Sequence, residues 1–475
     1  MITYQHWIIV IILTAGMVSR IWAGTPGDDT ILIAKWQGDK RAAVSLTFDD
    51  AQDSQRDIVV PEMNRRGMLG TFYLITGFVD GSRFLPKYIG DDVFALRASA
   101  RRSATTPANV RVRATAIRFL GKMVPDPMQG PIARAFESGD LQRASRLVDA
   151  VYTYVDSLEQ VDGPAGGVGT TFYYSPAAHS GKRNNTWVDW RRINNDGHEI
   201  GSHGVSHQWM SMMSMEMAEY ELGRSHDELL REIPGQRIFT YRYPYASDKL
   251  ECDSIAKQYY AAGANPVRFI GDPPAEVPQQ NLQEQVKSSA AYCIPFGEKD
   301  ADGYWKPERD RSGRSSTYPT RSSRLTTMQR WVDDTISDGA WLVPVFHGIE
   351  TDGLNPVPRK TFVGWLDYLQ QRRSEIWIAP YGTVQRYSRE RLAATVEIQE
   401  NGAERMQLVL KDGLDNAIYH EPLTLLVAIR AGWEFPRVTQ GRRVLPVESV
   451  LKGEDYFWKF NAYPDQGVIV IKSGL

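Results

Sequence analysis

A short apolar strand that ends on two adjacent carboxylates constrains this chain most. Residues 43–50 read Ala-Val-Ser-Leu-Thr-Phe-Asp-Asp. Neighbouring side chains of a strand point to opposite faces, so Asp49 and Asp50 share a site only if the strand stops there. Active sites of α/β proteins lie at the carboxyl ends of strands, and two carboxylates this close repel unless a cation or proton intervenes. The segment predicts an α/β fold with such a site, while an N-capping Asp beside a solvated one is the alternative for the pair alone.

The glycine-rich segment 197–207 carries two histidines four residues apart, His203 and His207. Imidazoles at this spacing fall on one side of a helical turn. With one carboxylate from elsewhere they make a His₂Asp set with positions open for water and substrate, as in catalytic zinc sites. Surface helices also produce this spacing often, but Gly201 and Gly204 favour a loop or helix start with close backbone approach.

Two further segments each deliver a polar side chain at a turn or strand end. Residues 240–245 read Thr-Tyr-Arg-Tyr-Pro-Tyr, and Arg242 can there hold a carboxylate with two hydrogen bonds and keep it ionised. Residues 341–348 read as a buried strand that delivers His347, which can give or take a proton near neutral pH. Taken singly, Arg242 fits a structural ion pair and His347 a core histidine. The four segments together favour one site.

In this order and spacing, the four segments resemble motifs of the polysaccharide deacetylase (NodB-homology) family of carbohydrate esterases. The motifs are Thr-Phe-Asp-Asp at 47–50, His-Gly-Val-Ser-His at 203–207, Arg-Tyr-Pro-Tyr at 242–245 and Val-Phe-His at 345–347. The resemblance covers residues 40–80 and 185–390. It implies a distorted (β/α) barrel, a divalent metal ion, most often Zn²⁺, and removal of acetyl groups from N-acetylated or O-acetylated sugars.

The resemblance also implies a role for each motif residue. Asp50, His203 and His207 are the expected metal ligands. Asp49 is the expected general base, and Arg242 would steady it. Tyr245 would donate its backbone N–H to the oxyanion, and His347 would be the general acid.

The implied chemistry suits these residue types. A bound metal polarises the acetyl carbonyl and lowers the pKa of its water. A carboxylate beside that water can take its proton, a backbone N–H can stabilise the oxyanion, and an imidazolium can protonate the leaving group. The sequence contains no Gly-x-Ser-x-Gly elbow, so a serine esterase lacks its usual local signature.

The sequence departs from the family pattern in two places. An Asp–Trp motif that orients the acid histidine is not evident between residues 250 and 340, where Arg268 and Asp272 are candidate substitutes. The segment from about 81 to 185 is far longer than the usual link. Part of it follows helical spacing, at Leu141, Ala144, Leu147, Val148, Val151, Tyr152, Val155 and Leu158. We expect an inserted helical subdomain, which either covers the site and shapes the substrate groove or forms a peripheral bundle.

The expected organisation has three parts: a signal peptide at 1–23, the deacetylase barrel with its insertion at 24–390, and a small all-β sandwich at 391–475. An apolar run at 7–18 precedes small residues at Ala23 and Gly24, which predicts export to the periplasm, the cell surface or the medium. No Lys or Arg precedes this run, so an uncleaved anchor stays open. Beyond residue 391, apolar alternation with period two predicts antiparallel strands.

Charge and cysteine content restrict the partners. The net charge of −2 and the lack of a long basic run argue against a nucleic-acid partner. No segment other than the N-terminal run is expected to span a bilayer. The 2 cysteines, Cys252 and Cys293, could pair in an exported protein. The expected partner is an acetylated glycan.

Two other classes of protein stay open. A non-catalytic glycan-binding barrel would be favoured by loss of Asp49 or His347, and both are present. A non-haem iron enzyme also uses two histidines and one carboxylate. Such enzymes usually show His-x-Asp spacing on a β-barrel, whereas here the carboxylate precedes the histidine pair on a separate strand.

Overall fold

The computed structural model describes residues 30–162, 185–247, 250–263, 321–350, 356–430 and 432–474. The predicted signal peptide, Arg268, Asp272 and Cys293 lie outside the described residues. The chain divides into two compact units, Ala42–Val384 and Met1–Arg41 with Gln385–Leu475. No helix in the described ranges combines the length and apolarity that crossing a bilayer requires.

The strands of the described chain run in sequence order as β1 Ile31–Ile33, β2 Ala42–Val44, β3 Leu46–Asp49, β4 Gly70–Leu74, β5 Glu199–Ser202, β6 Thr240–Tyr241, β7 Ala262–Gly263, β8 Trp341–Leu342, β9 Val345–Phe346, β10 Ile376–Ile378, β11 Thr395–Asn401, β12 Arg405–Lys411, β13 Leu423–Ala428, β14 Glu434–Gln440, β15 Arg443–Leu445, β16 Glu448–Lys452, β17 Asp455–Ala462 and β18 Ile469–Gly474.

The α-helices are α1 Val60–Asn64, α2 Val93–Ala100, α3 Val110–Thr115, α4 Asp126–Glu137, α5 Leu141–Asp162, α6 Trp187–Asn195, α7 Met215–Glu219, α8 Ser225–Glu232, α9 Leu250–Tyr259, α10 Arg321–Asp338, α11 Arg359–Gln371 and α12 Tyr381–Ala393. The 3₁₀ turns are Gln37–Asp39, Thr76–Phe78, Ile117–Phe119, Met210–Met212 and Pro244–Ala246. Single π-helical turns, Gln55–Val59 and Tyr220–Arg224, precede α1 and α8.

The unit Ala42–Val384 is built on parallel sheets. One sheet has six strands in the order β7-β6-β5-β4-β3-β9, and a second has three in the order β10-β2-β8. All pairings within both sheets are parallel. Every residue of β3 and β4 is buried, as expected for parallel strands that are covered on both faces. The predicted α/β class is therefore confirmed.

An aromatic cluster fixes the centre of the six-stranded sheet. Phe48 of β3 stacks on Phe72 of β4 with ring centroids 4.9 Å apart, and on Phe346 of β9 at 5.4 Å. Phe346 also contacts Phe362 and Trp365 of α11. This packing sets β3 between its two neighbours and so determines where the chain after β3 emerges.

The described part of the long connection between β4 and β5 contains several helices. The helix predicted from the periodic apolar residues is confirmed as α5, whose buried face includes Ala144, Val148, Val151 and Val155. Helices α2, α3 and α4 precede it, and α5 packs against α4 and α3.

The unit Met1–Arg41 with Gln385–Leu475 is antiparallel. Its two sheets have the strand orders β1-β13-β17-β16 and β11-β12-β18-β14-β15. Along β12, Met406, Leu408 and Leu410 are buried and alternate with less buried residues, as the period-two pattern predicts. Strand β1 differs from the expectation, which placed it with the barrel. Its backbone pairs with β13, from Ile31 opposite Val427 to Ile33 opposite Leu425, a long-range pairing that local sequence does not encode.

Candidate metal centre and active site

Four parallel strands deliver the predicted residues to one edge of the six-stranded sheet. Strand β3 ends at Asp49, and β9 is followed at once by His347. Strand β5 is followed by His203, and β6 by Arg242. Because the carboxyl ends of parallel strands meet at one edge, side chains distant in sequence converge there.

Asp50, His203 and His207 form a compact buried group. Asp50 Oδ1 lies 3.7 Å from His203 Nε2 and 3.4 Å from His207 Nε2. One ligand atom from each residue lies within 4.8 Å of the others. Asp50 turns its side chain towards the histidines through a left-handed backbone with φ of 72°.

The donor set suits a divalent cation. Among the described residues, buried Asp50 Oδ1 has no hydrogen-bond partner, although both imidazoles lie close to it. His203 Nδ1 donates to the Arg242 carbonyl over 2.7 Å, which leaves Nε2 with a lone pair on the Asp50 side. One carboxylate oxygen and two neutral imidazole nitrogens match a zinc donor set.

The pKa values of the neighbouring Asp49 and Asp50 carboxyls are shifted in opposite directions. Burial and then the charge of Asp49 raise the pKa of Asp50 to about 8. Burial also acts to raise the pKa of Asp49, but the charges of Arg242, His203 and His347 and the hydrogen bond from Arg242 outweigh it and lower that pKa. Asp49 is therefore ionised at neutral pH, whereas metal-free Asp50 holds a proton.

The three histidines of the site favour their neutral forms. Burial lowers the pKa of His203 to about 4 and holds the pKa of His207 well below its usual value. Burial also lowers the pKa of His347, partly offset by the charge of Asp49. The two candidate ligands thus keep their nitrogen lone pairs at neutral pH.

Arg242 contacts Asp49 directly. Its Nε donates to Asp49 Oδ2 over 3.3 Å, and its Nη2 donates to Thr47 Oγ1 over 3.4 Å. The other carboxylate oxygen, Asp49 Oδ1, is buried and has no hydrogen-bond partner among the described residues. One oxygen is thus held by the guanidinium, and the other is available to accept a proton.

His347 lies on the other side of Asp50. Its Nε2 is 3.9 Å from Asp50 Oδ2. Buried Gln55 joins the two strand ends, because its Nε2 donates to the carbonyls of Asp49 (2.6 Å) and His347 (2.8 Å). This amide fixes the separation of the expected base and acid, and the sequence alone gave no signal for it.

Tyr245 packs beside the second histidine. Its ring centroid is 4.6 Å from that of His207, and it stacks on Trp209 at 3.9 Å with the planes 3° apart. Its backbone is left-handed, with φ of 57°. Burial raises the pKa of the Tyr245 hydroxyl to about 12, so this group stays protonated.

The histidine pair lies on a turn and not on the helical turn that its spacing alone indicated. Residues 204–206 form the turn, and His207 has a left-handed φ of 55°. Buried Glu221 supports it by accepting from the N–H groups of Val205 (2.8 Å) and Ser206 (2.9 Å) and from the Ser206 hydroxyl. Burial raises the pKa of Glu221 to about 7. Sequence reasoning missed Glu221, which follows the pair within a Met- and Glu-rich segment typical of packing.

Comparison with protein families agrees with this site. Residues 164–263 match the family model described as Polysaccharide deacetylase, a segment that includes both candidate histidine ligands, Arg242 and Tyr245. The match covers 100 of the 475 residues. The resemblance to the polysaccharide deacetylase family is thereby confirmed.

One curated relative, a gellan lyase from Bacillus sp., is 25% identical over 289 residues, which are 59% of this chain and 11% of the relative. The chain thus spans about a tenth of the length of that relative.

Three solved structures align with 71–77% of this chain. The first is a Mycobacterium smegmatis protein that is assigned only provisionally as a polysaccharide deacetylase. It has 12% identity and a TM-score of 0.37, and the alignment covers 77% of this chain and 94% of that chain. A family 4 carbohydrate esterase from Streptomyces lividans in complex with acetate has 10% identity and a TM-score of 0.28, with coverages of 71% and 91%. A family 4 acetyl xylan esterase from Clostridium thermocellum in complex with a cobalt ion has 12% identity and a TM-score of 0.31, with coverages of 72% and 89%. Scores of this size do not establish a shared fold.

Proposed function

We propose that this protein is a metal-dependent hydrolase that removes acetyl groups from an acetylated glycan. The observation that carries the proposal is the buried set Asp50, His203 and His207 beside the Asp49–Arg242 pair. The family match supports an acetylated glycan as the substrate.

Asp50, His203 and His207 would hold the metal, for which Zn²⁺ is the best candidate given two imidazoles and one carboxylate. Such an ion polarises a carbonyl and makes water a better nucleophile at neutral pH. The ion would also relieve the repulsion between the two adjacent carboxylates, since the charge of Asp49 is one cause of the raised pKa of Asp50.

Asp49 is proposed as the general base. Its lowered pKa keeps it ionised, and Oδ1 has no hydrogen-bond partner among the described residues, so this oxygen can take a proton from water. Arg242 holds Oδ2 and thereby orients the carboxylate. A carboxylate that is fixed before the reaction accepts the proton with little reorganisation.

His347 is proposed as the general acid, and the backbone N–H of Tyr245 as an oxyanion donor. The lowered pKa of His347 makes its protonated form a ready proton donor to a leaving amine or alcohol. Tyr245 adjoins His207 through ring contact, which places its turn beside the candidate metal centre.

We further propose that both parallel sheets form the distorted (β/α) barrel. Only Ser45 separates β2 of one sheet from β3 of the other, and two residues separate β8 from β9 in the same way. The insertion at 81–185, the β-sandwich at 391–475 and export after a signal at 1–23 are parts of the same proposal.

The test combines metal analysis with acetate release by the purified full chain. The panel contains N-acetylglucosamine oligomers, O-acetylated xylan and gellan, the polysaccharide in the name of the curated relative. Acetate release together with about one bound zinc ion per chain supports the proposal. Glycan binding without acetate release supports the glycan-binding barrel instead, and bound iron with oxygen consumption supports the iron enzyme.

A further inference from the structure

Arg118 is a buried arginine of the helical segment that contacts two residues of the proposed site. It lies in the 3₁₀ turn Ile117–Phe119 and is 3% exposed. Its Nη1 donates to the His207 carbonyl over 3.2 Å, and its Nη2 donates to the Tyr245 hydroxyl. One guanidinium thus binds a candidate metal ligand and the candidate oxyanion residue.

Both acceptors have backbone conformations that need support. His207 and Tyr245 have φ values of 55° and 57°, in the left-handed region. A residue other than glycine is strained in this conformation, which persists only when its surroundings determine it. The hydrogen bond to the carbonyl of His207 acts directly on one of these two turns. The bond to the Tyr245 hydroxyl fixes the side chain that extends from the other.

Arg118 is itself held rigidly by α4. Its Nε donates to Gln129 Oε1 over 2.9 Å, and its Nη2 also donates to Asp126 Oδ1 over 3.0 Å. Gln129 in turn donates to the Val124 carbonyl over 2.7 Å. The planar guanidinium therefore donates hydrogen bonds to acceptors in several directions at once. A lysine ammonium cannot reproduce this geometry.

We propose that Arg118 is a positioning residue of the active site, which fixes His207 for metal binding and Tyr245 beside it. The inference rests on the proposed function and extends it to the helical segment. That segment then serves as part of the catalytic framework and not only as a cover or a peripheral bundle.

The test compares Arg118→Lys with Arg113→Lys. Arg113 is equally buried in the same helical segment, but its hydrogen bonds go to Ser99, Ser103 and Thr105, none of which belongs to the site. Zinc affinity is measured by competition with a chromophoric chelator, thermal stability by calorimetry, and kcat and KM at saturating zinc with 4-nitrophenyl acetate.

We expect Arg118→Lys to bind zinc about 10–100-fold more weakly, the usual cost of losing a partner of a metal ligand. Its kcat at saturating zinc should also fall, with KM little changed. Arg113→Lys should lose stability to a similar extent while keeping wild-type zinc affinity and kcat. Equal zinc affinities for Arg118→Lys and Arg113→Lys would overturn the inference.

Three further outcomes have distinct consequences. If Arg118→Lys does not fold, Gln129→Met removes the Nε acceptor while the arginine stays in place, and unchanged zinc affinity and kcat in that variant overturn the inference. A wild-type chain that binds no zinc overturns the proposed metal site and this inference together. A wild-type chain that binds zinc but releases no acetate overturns the proposed reaction alone, because the zinc comparison still decides the role of Arg118.

Discussion

Asp49 and Asp50 are consecutive residues, yet the pKa of the first is lowered and that of the second is raised to about 8. The difference comes from their partners. Asp49 faces the Arg242 guanidinium, whereas Asp50 turns away through its left-handed backbone to face two neutral imidazoles. At neutral pH the pair therefore presents one fixed negative charge and one carboxyl that needs a bound cation to ionise fully.

Asp50 should contribute stability to the metal-free protein that is lost as the pH rises, whereas the buried histidines contribute in the opposite direction. The folded-state pKa of Asp50, about 8, exceeds its ordinary value of 3.8, so its contribution is complete below pH 4 and is lost as the pH rises through 8. The free energy of unfolding of the wild type should therefore fall relative to that of Asp50→Asn as the pH rises, whereas its difference from Asp91→Asn, an exposed control, should stay constant. Denaturant unfolding in a chelating buffer between pH 5 and pH 8 measures the effect. If the difference in unfolding free energy between the wild type and Asp50→Asn stays constant over this range, the assignment is wrong.

His203→Ala should abolish stoichiometric zinc binding and activity together, because it removes one of three protein ligands. His226→Ala is the matched control, since His226 packs against Phe239, Tyr259 and Tyr260 and is not in the metal set. Metal content after dialysis, measured by mass spectrometry, compares the two. A His203→Ala protein that keeps full zinc content shows that the ligand assignment is wrong.

Asp49→Asn should lower kcat about 10²–10⁴-fold while zinc remains bound, the usual range for a general base. Asparagine keeps the shape and can still accept from Arg242, but it cannot take a proton. The wild-type rate should depend on pH as a bell, with its lower limb due to protonation of Asp49. If the Asp49→Asn variant keeps that lower limb, another group is the base.

His347→Ala should affect poor leaving groups most. An amine that leaves an acetamide needs a proton, whereas an activated aryl oxide scarcely does. The rate on an N-acetyl sugar should therefore fall much further than the rate on an aryl acetate. Equal losses on the two substrates would leave His347 as a structural or substrate-binding residue.

Gly204→Ala should destabilise the protein and weaken zinc binding. A Cβ at Gly204 would lie 2.8 Å from Glu221 Oε2, and its φ of 81° is left-handed. Gly139→Ala separates these effects, because its φ is 74° but nothing lies within 4 Å of the added atom. The left-handed backbone alone should cost about 1–2 kcal/mol at both positions. Chemical unfolding should show a larger loss for Gly204→Ala, and similar losses would mean that Glu221 moves freely.

The sequence predicted the meeting of Asp49, His203, Arg242 and His347 because each follows an apolar run at a strand end. In a parallel sheet such positions lie at one edge whatever the chain between them does. The helix Leu141–Asp162 was predictable for a similar reason, since its apolar residues recur with the helical period.

The residues that support the site were not predictable in this way. Gln55, Arg118 and Glu221 lie in helical turns whose local sequence is typical of packing, and their partners are distant in the chain. The pairing of Ile31 with Val427 has the same character. Such contacts depend on the folded arrangement of several elements, and no local pattern encodes them.

Strand β4 lies between β3 and β5, carries none of the candidate residues, and leads into the long helical connection. A fold arranged in this way can accept added chain after β4 without changing the lengths of the ligand-bearing strands. The contact between Arg118 and His207 limits that freedom in this protein. If the helical segment were exchanged, the hydrogen bond that the His207 carbonyl accepts from Arg118 would have to come from the new segment or from another part of the chain.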